Sequence, residues 1–149
     1  MLLAPTRKAK PGERIEPERI DTMTQTLIKR YPVDRTRLYL AGISSGARFA
    51  GKLLLLNPAR WQAAILIASP PFDKNFDLTQ RHNLPPLLFV HGMKDNQFPF
   101  KGVEQGIEKL RQNGTRADLL SFKDAGHEQR PEWSKEIFDW IEKNSGGHS

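Results

Sequence analysis

The chain has 149 residues, 38% hydrophobic and 27% charged, with no cysteine and a formal net charge of +6. That suits a single globular domain over 1–149 and excludes disulfides, a thiol nucleophile and thiolate-held metals. The 23 basic residues are spread among 17 acidic ones apart from Arg7, Lys8, Lys10 and Arg14, so nucleic acid is not an expected partner; no apolar run could cross a bilayer or serve as a signal peptide, and the expected location is cytoplasmic.

Residues 1–12, with Pro5, Pro11 and Gly12, read as an irregular arm. From about Arg14, the positions Ile15, Ile20, Met23, Leu27 and Ile28 recur at helical spacing until Tyr31 and Pro32 stop the run. Residues 38–43 are apolar without alternation, as in a parallel strand covered by helices on both faces. A helix follows over 45–56, closed by Asn57 and Pro58. Residues 63–68 are a second continuous apolar strand. Residues 69–86 contain four prolines and read as a loop with one helical turn. The third strand, 87–90, ends at His91 and Gly92. A helix over 101–113 turns Val103, Ile107 and Leu110 inward and is capped by Gly114. The fourth strand, 117–122, precedes a last helix over 131–143, opened by Pro131 and burying Trp133, Ile137, Phe138 and Ile141. Residues 145–149 are expected to be disordered. Strands alternating with helices predict an α/β domain of three layers, with a mostly parallel sheet of about four strands and flanking helices.

Ligands of such sheets bind beyond the C-terminal strand ends. Three reactive side chains fall there: Ser44 after the first strand, Asp95 after the third and His127 after the fourth. Ser44 lies in Gly42-Ile43-Ser44-Ser45-Gly46 at a strand-to-helix junction. This is the pattern of a nucleophile elbow, in which a sharp turn lifts the hydroxyl out of the sheet and glycines two before and two after leave room for the backbone. A serine hydroxyl needs a base, and the base needs a carboxylate to hold its tautomer. The order Ser, Asp, His supplies one of each. The bland reading of Asp95 is a turn residue in Gly92-Met93-Lys94-Asp95-Asn96, and Asp73, Asp77 and Asp124 are weaker alternatives for the acid. His127 is favoured as the base over His82, over His148 in the tail, and over His91, which is expected to pack near the floor of the site. The backbone N–H of Ser45, at the start of the helix, is the expected oxyanion donor. Phe72, Phe76, Phe98 and Trp133 are candidates for an acyl pocket or for simple packing. No histidine has a partner at metal-ligand spacing, so neither metal nor cofactor is expected.

Three stretches resemble the α/β-hydrolase superfamily, in particular its small serine esterases of the carboxylesterase, feruloyl-esterase-like and polyhydroxybutyrate-depolymerase-like groups. They are Asp34-Arg35-Thr36-Arg37-Leu38-Tyr39-Leu40-Ala41-Gly42-Ile43-Ser44-Ser45-Gly46, then Pro85-Pro86-Leu87-Leu88-Phe89-Val90-His91-Gly92-Met93-Lys94-Asp95, then Ala125-Gly126-His127 before a closing amphipathic helix. The resemblance spans roughly residues 14–143 and follows the C-terminal half of that fold. It implies Ser44 as nucleophile, Asp95 as orienting acid, His127 as base, and a small carboxylic ester as substrate, cleaved through an acyl-serine. Residues 1–37 match neither the superfamily's earlier strands nor the His-Gly-type motif that donates the second oxyanion N–H. Weak catalysis is therefore expected, and the alternative is a catalytically inactive remnant serving as a binding or oligomerising module. The same departure leaves one edge of the strand carrying Ser44 bare and the last helix nearly alone on its face, which predicts a homodimer.

Overall fold

A computed structural model describes residues 16–74 and 76–145. The arm expected over 1–12 and the end of the chain after 145 lie outside the described residues. The apolar runs become β1 (Tyr39–Ile43), β2 (Ala63–Ile67), β5 (Leu87–Gly92) and β6 (Ala117–Phe122). They pair in parallel in the order β1-β2-β5-β6. Every residue of β2 and β5 is buried, as central parallel strands with helices on both sides require.

Strand alternation sorts the side chains onto two faces. Leu40, Ala64, Leu66, Leu87 and Phe89 pack with α2 (Ser45–Leu56) and α3 (Phe100–Gln112) through Ala47, Leu54, Val103, Ile107 and Leu110. Ile65, Ile67, Leu88 and Val90 pack on the opposite face, against the turn Pro131–Trp133 and α4 (Ser134–Ser145). The first helix, α1 (Pro17–Arg30), packs on α2. Its Ile20 reaches the first core, and its Asp21 pairs with Arg60 beyond the end of α2. The three layers expected from the alternation of strands and helices are present.

Several details differ from the sequence reading. Strand β1 is covered on one face and only partly on the other, where Tyr39 packs against the α4-side core. Its Ala41 is exposed and its Ile43 is 39% exposed, because α4 lies over the neighbouring strands and, among the described residues, no other helix shares that face. The outer edge of β1 likewise has no partner strand among the described residues. In α4 the stripe facing the sheet is Ile137, Trp140 and Ile141, whereas Phe138 is 64% exposed. Trp140 is fixed by its indole N–H, which donates to Asp118 of β6 at 2.7 Å. Met23 of α1 also faces outward, while Thr24 is buried. Between β2 and β5 the chain makes the expected helical turn, Leu78–Gln80, but also a small antiparallel pair, β3 (Phe72–Asp73) with β4 (Phe76–Asp77). Strands of two residues have no periodicity to read. No described helix is long and apolar enough to cross a membrane.

Candidate active site

Gly42 makes the turn at the end of β1 feasible. A Cβ at this position would lie 2.4 Å from the backbone carbonyl of Gly46 and 2.6 Å from the nitrogen of Ala47, so only glycine lets the first turn of α2 fold back against the strand. Ser44 then takes φ 51° and ψ −115°, a conformation that costs a residue with a side chain about 1–3 kcal/mol. Two hydrogen bonds hold it there: its N–H donates to the Ile67 carbonyl at 2.8 Å, and its own carbonyl accepts from the Arg48 N–H at 3.1 Å. Gly46 is different. A Cβ there would meet nothing within 4 Å, so the clearance expected on the helix side of the serine is not needed within the described chain.

The ends of β5 and β6 carry the other two residues. Gly92 approaches the connection after β6 so closely that a Cβ would sit 2.3 Å from the Gly126 carbonyl oxygen and 2.4 Å from that of Ala125. That approach lets Met93 donate to the Phe122 carbonyl and Lys94 to the Ala125 carbonyl, each at 2.9 Å. The turn bearing Asp95 and the loop bearing His127 are thereby tied together. Asp95 is buried, and its Oδ1 accepts the N–H groups of Gln97 at 2.8 Å and Phe98 at 2.9 Å. Its Oδ2 accepts from His127 Nδ1 at 2.9 Å, and the Ser44 hydroxyl donates to His127 Nε2 at 2.8 Å. A carboxylate only accepts, so Asp95 selects the imidazole tautomer with its proton on Nδ1 and its lone pair toward Ser44.

Burial pushes the Asp95 carboxyl up, but the Phe98 N–H, the His127 imidazole and the Gln97 N–H outweigh it and leave the group below its ordinary 3.8. A depressed native carboxyl stabilises the fold at pH values above the unfolded value, and that stabilisation is lost as pH falls through the native one. Acid unfolding of wild type followed by circular dichroism is therefore expected to show a stability loss below about pH 4 that is smaller in Asp95→Asn. Equal pH dependence of the two proteins would contradict this.

The loop around His127 has its own brace. Arg130 donates to Asp124 at 2.8 Å and to Glu128 at 2.7 Å, and the same Glu128 oxygen accepts the Gly126 N–H at 3.2 Å. The hydrogen bonds from Arg130 lower both carboxyls. On the other side the Phe98 ring lies 5.6 Å from the His127 ring, centroid to centroid. The Arg48 guanidinium stands 5.9 Å from the Phe98 centroid and pairs with Asp73 of β3 at 3.2 Å. Arg48 and Arg130 were not singled out in the sequence. Arg48 lies one helical turn beyond Ser44, a spacing that places it on the same side of the helix and was readable as such. For Arg130, whose partners are set by the loop, no comparable signal exists.

The alternatives are engaged elsewhere. Asp73 holds Arg48, Asp77 caps the turn at Thr79 with its Oδ1, and Asp124 holds Arg130. His82 is exposed, and His148 lies outside the described residues. Among the four aromatic candidates, Phe98 borders the site. Phe76 is buried against Gly51, Trp133 stacks on Phe122 at 4.2 Å, and Phe72 lies beneath Lys109. Ser45 is the exposed first residue of α2, where backbone N–H groups have no acceptor within the helix.

A model of the prolyl oligopeptidase family matches residues 69–148, more than half of the chain. The match takes in Asp95 and His127 and begins after Ser44. Among solved structures, the esterase PE8 superposes with a TM-score of 0.71 at 23% identity, over 85% of this chain and 59% of that one. SOBER1 of Arabidopsis thaliana gives 0.69 at 18% identity, over 91% and 69%. An acylaminoacyl peptidase of Pyrococcus horikoshii gives 0.69 at 15%, over 89% and 28%. At these identities the likeness is one of fold, and the fold is that of the α/β-hydrolases. The chain spans less than two thirds of the length of PE8.

Proposed function

The chain belongs to the prolyl oligopeptidase family, and from that premise we propose that it is a serine hydrolase cleaving small carboxylic esters through an acyl-serine. The observation that carries this reading is the unbroken hydrogen-bond path from the Ser44 hydroxyl through His127 to buried Asp95. The Ser44 oxygen attacks the ester carbonyl carbon while its proton passes to His127 Nε2, and the carbonyl π pair moves onto oxygen. The developing oxyanion is stabilised by the Ser45 N–H at the positive end of α2. Collapse breaks the bond to the alcohol oxygen, which leaves with the proton from His127. Water then repeats the cycle on the acyl-serine, releasing the acid and restoring the hydroxyl.

With one oxyanion donor assigned among the described residues, slow turnover is expected, since loss of one such donor costs about 10²–10³ in kcat. The test is covalent labelling by a fluorophosphonate together with hydrolysis of a short-chain p-nitrophenyl ester. Labelling at Ser44 with slow turnover is the expected result. Neither labelling nor serine-dependent turnover would leave the other reading, a hydrolase-fold module that binds or oligomerises without catalysis.

We also propose a homodimer formed over the open side of the sheet. Its support is the edge of β1, unpaired among the described residues, with Ile43 exposed on the partly covered face and Phe138 exposed on α4, since apolar surface beside an unpaired strand favours association. Light scattering at micromolar concentration is expected to give twice the chain mass; a monomer mass would remove the proposal.

A further inference from the structure

We propose that His91 is a positioning residue, whose single N–H clamps the turn between Asp95 and Phe98 by donating to the Phe98 carbonyl and stands beside the Asp95 oxygen that orients His127. The inference rests on the reading of Asp95 as the orienting acid given above. His91 is the fifth residue of β5 and is 1% exposed. An imidazole at such a position in an apolar strand is costly unless it is hydrogen-bonded. Its Nε2 lies 2.8 Å from the Phe98 carbonyl oxygen and 3.3 Å from Asp95 Oδ2. Both neighbours are acceptors, so Nε2 carries the proton; it donates to the Phe98 carbonyl and stands in electrostatic contact with Asp95 Oδ2. Nδ1 is buried without a hydrogen-bond partner. A bare lone pair is tolerated there more readily than an orphaned N–H would be, which agrees with the same tautomer.

The consequence is a closed ring of contacts. Phe98 donates its N–H to Asp95 Oδ1 and accepts at its carbonyl from His91, which also reaches Asp95 Oδ2. His91 therefore fixes two things from beneath the site: the angle of the carboxylate, and the place of the Phe98 backbone whose ring lies against His127. Its N–H also stands 3.3 Å from Oδ2, the oxygen that accepts from His127. Without the His91 N–H, that oxygen loses a neighbouring positive dipole and its charge is directed more fully at His127 Nδ1. The other charged groups about His127 are Glu128 and Asp124, both held by Arg130, Lys94 in the facing turn, and Arg48 beyond the Phe98 ring. None of them bonds to the His91 ring.

The test compares three variants on the full chain. Gln can bring its amide nitrogen to the place of Nε2, Asn reaches only the place of Nδ1, and Phe keeps the ring shape without a donor. For His91→Phe and His91→Asn, kcat on a p-nitrophenyl ester is expected to fall about tenfold or more with KM little changed. The acid limb of their rate profile is expected to move to higher pH. His91→Gln should restore both. A role in packing alone would lower the folded fraction, leave the limb in place and make Gln no better than Asn, and either of the last two results overturns the proposal. Nitrogen-15 NMR of the wild type supplies a readout independent of turnover and of variant folding. His91 is expected as the Nε2–H tautomer, and an Nδ1–H tautomer refutes the clamp. An inert wild type with the expected tautomer would defeat the esterase reading and leave the clamp standing, to be judged by the shift of the His127 Nδ1 proton in His91→Phe.

Discussion

Ser44→Ala is expected to lower kcat/KM for a short-chain ester by about 10⁴-fold or more, to the floor set by binding and oxyanion stabilisation alone. The substitution removes only the hydroxyl. Alanine keeps a Cβ at φ 51°, so the strain of the turn is retained and the path of α2 does not change. The lost partner of His127 Nε2 stands at a half-buried rim where water can replace it, and the thermal midpoint is expected to stay level or rise, as is common when a functional group is removed from a strained site. His127→Ala and the double variant should reach the same floor, because residues acting as one unit do not contribute additively. Measured initial rates decide it: a Ser44→Ala protein that keeps a tenth of wild-type activity would mean that another group attacks.

Much of this arrangement was legible in the chain because its physics is local or periodic. Buried parallel strands must be apolar on both faces, and β2 and β5 are. Substrate sites of open α/β sheets lie at C-terminal strand ends, and Ser44, Asp95 and His127 each follow one. Gly42 was legible as a steric demand, whereas Gly46 was not one in the described structure. What could not be read depends on which neighbours arrive. Helical spacing marks a stripe but not its partner: it points to Phe138 as core, which is exposed, whereas Trp140 faces the sheet and finds Asp118. The apolar run of β1 resembles that of β2, yet on the α4 side only Tyr39 is packed while Ala41 and Ile43 are exposed, because that helix lies over the neighbouring strands. The roles of Arg48, Arg130 and Phe98 come from the reach of long side chains across loops whose shape is set only once the sheet has formed.

Asp95→Asn is the second large effect, again about 10⁴-fold in kcat, and it arises from a proton in the wrong place. Asp95 Oδ1 accepts two backbone N–H groups, from Gln97 and Phe98. The amide of asparagine keeps its oxygen there, since turning the NH₂ toward two donors would leave three groups without acceptors. The NH₂ must then occupy the Oδ2 position and face His127 Nδ1 at 2.9 Å. A donor at that place forces Nδ1 to accept, moves the imidazole proton to Nε2, and aims an N–H at the Ser44 oxygen where a lone pair is required. It also sets a donor toward the His91 Nε2–H, which in the wild type lies 3.3 Å from the Asp95 oxygen, so the carboxamide is pressed from two sides. Nitrogen-15 NMR should show His127 as the Nε2–H tautomer in Asp95→Asn and as Nδ1–H in the wild type. Asp77→Asn, which keeps an oxygen to cap Thr79, should retain activity. If Asp95→Asn hydrolyses esters within tenfold of wild type, with His127 still protonated on Nδ1, another carboxylate orients the imidazole and the geometry at the end of β5 has been misassigned.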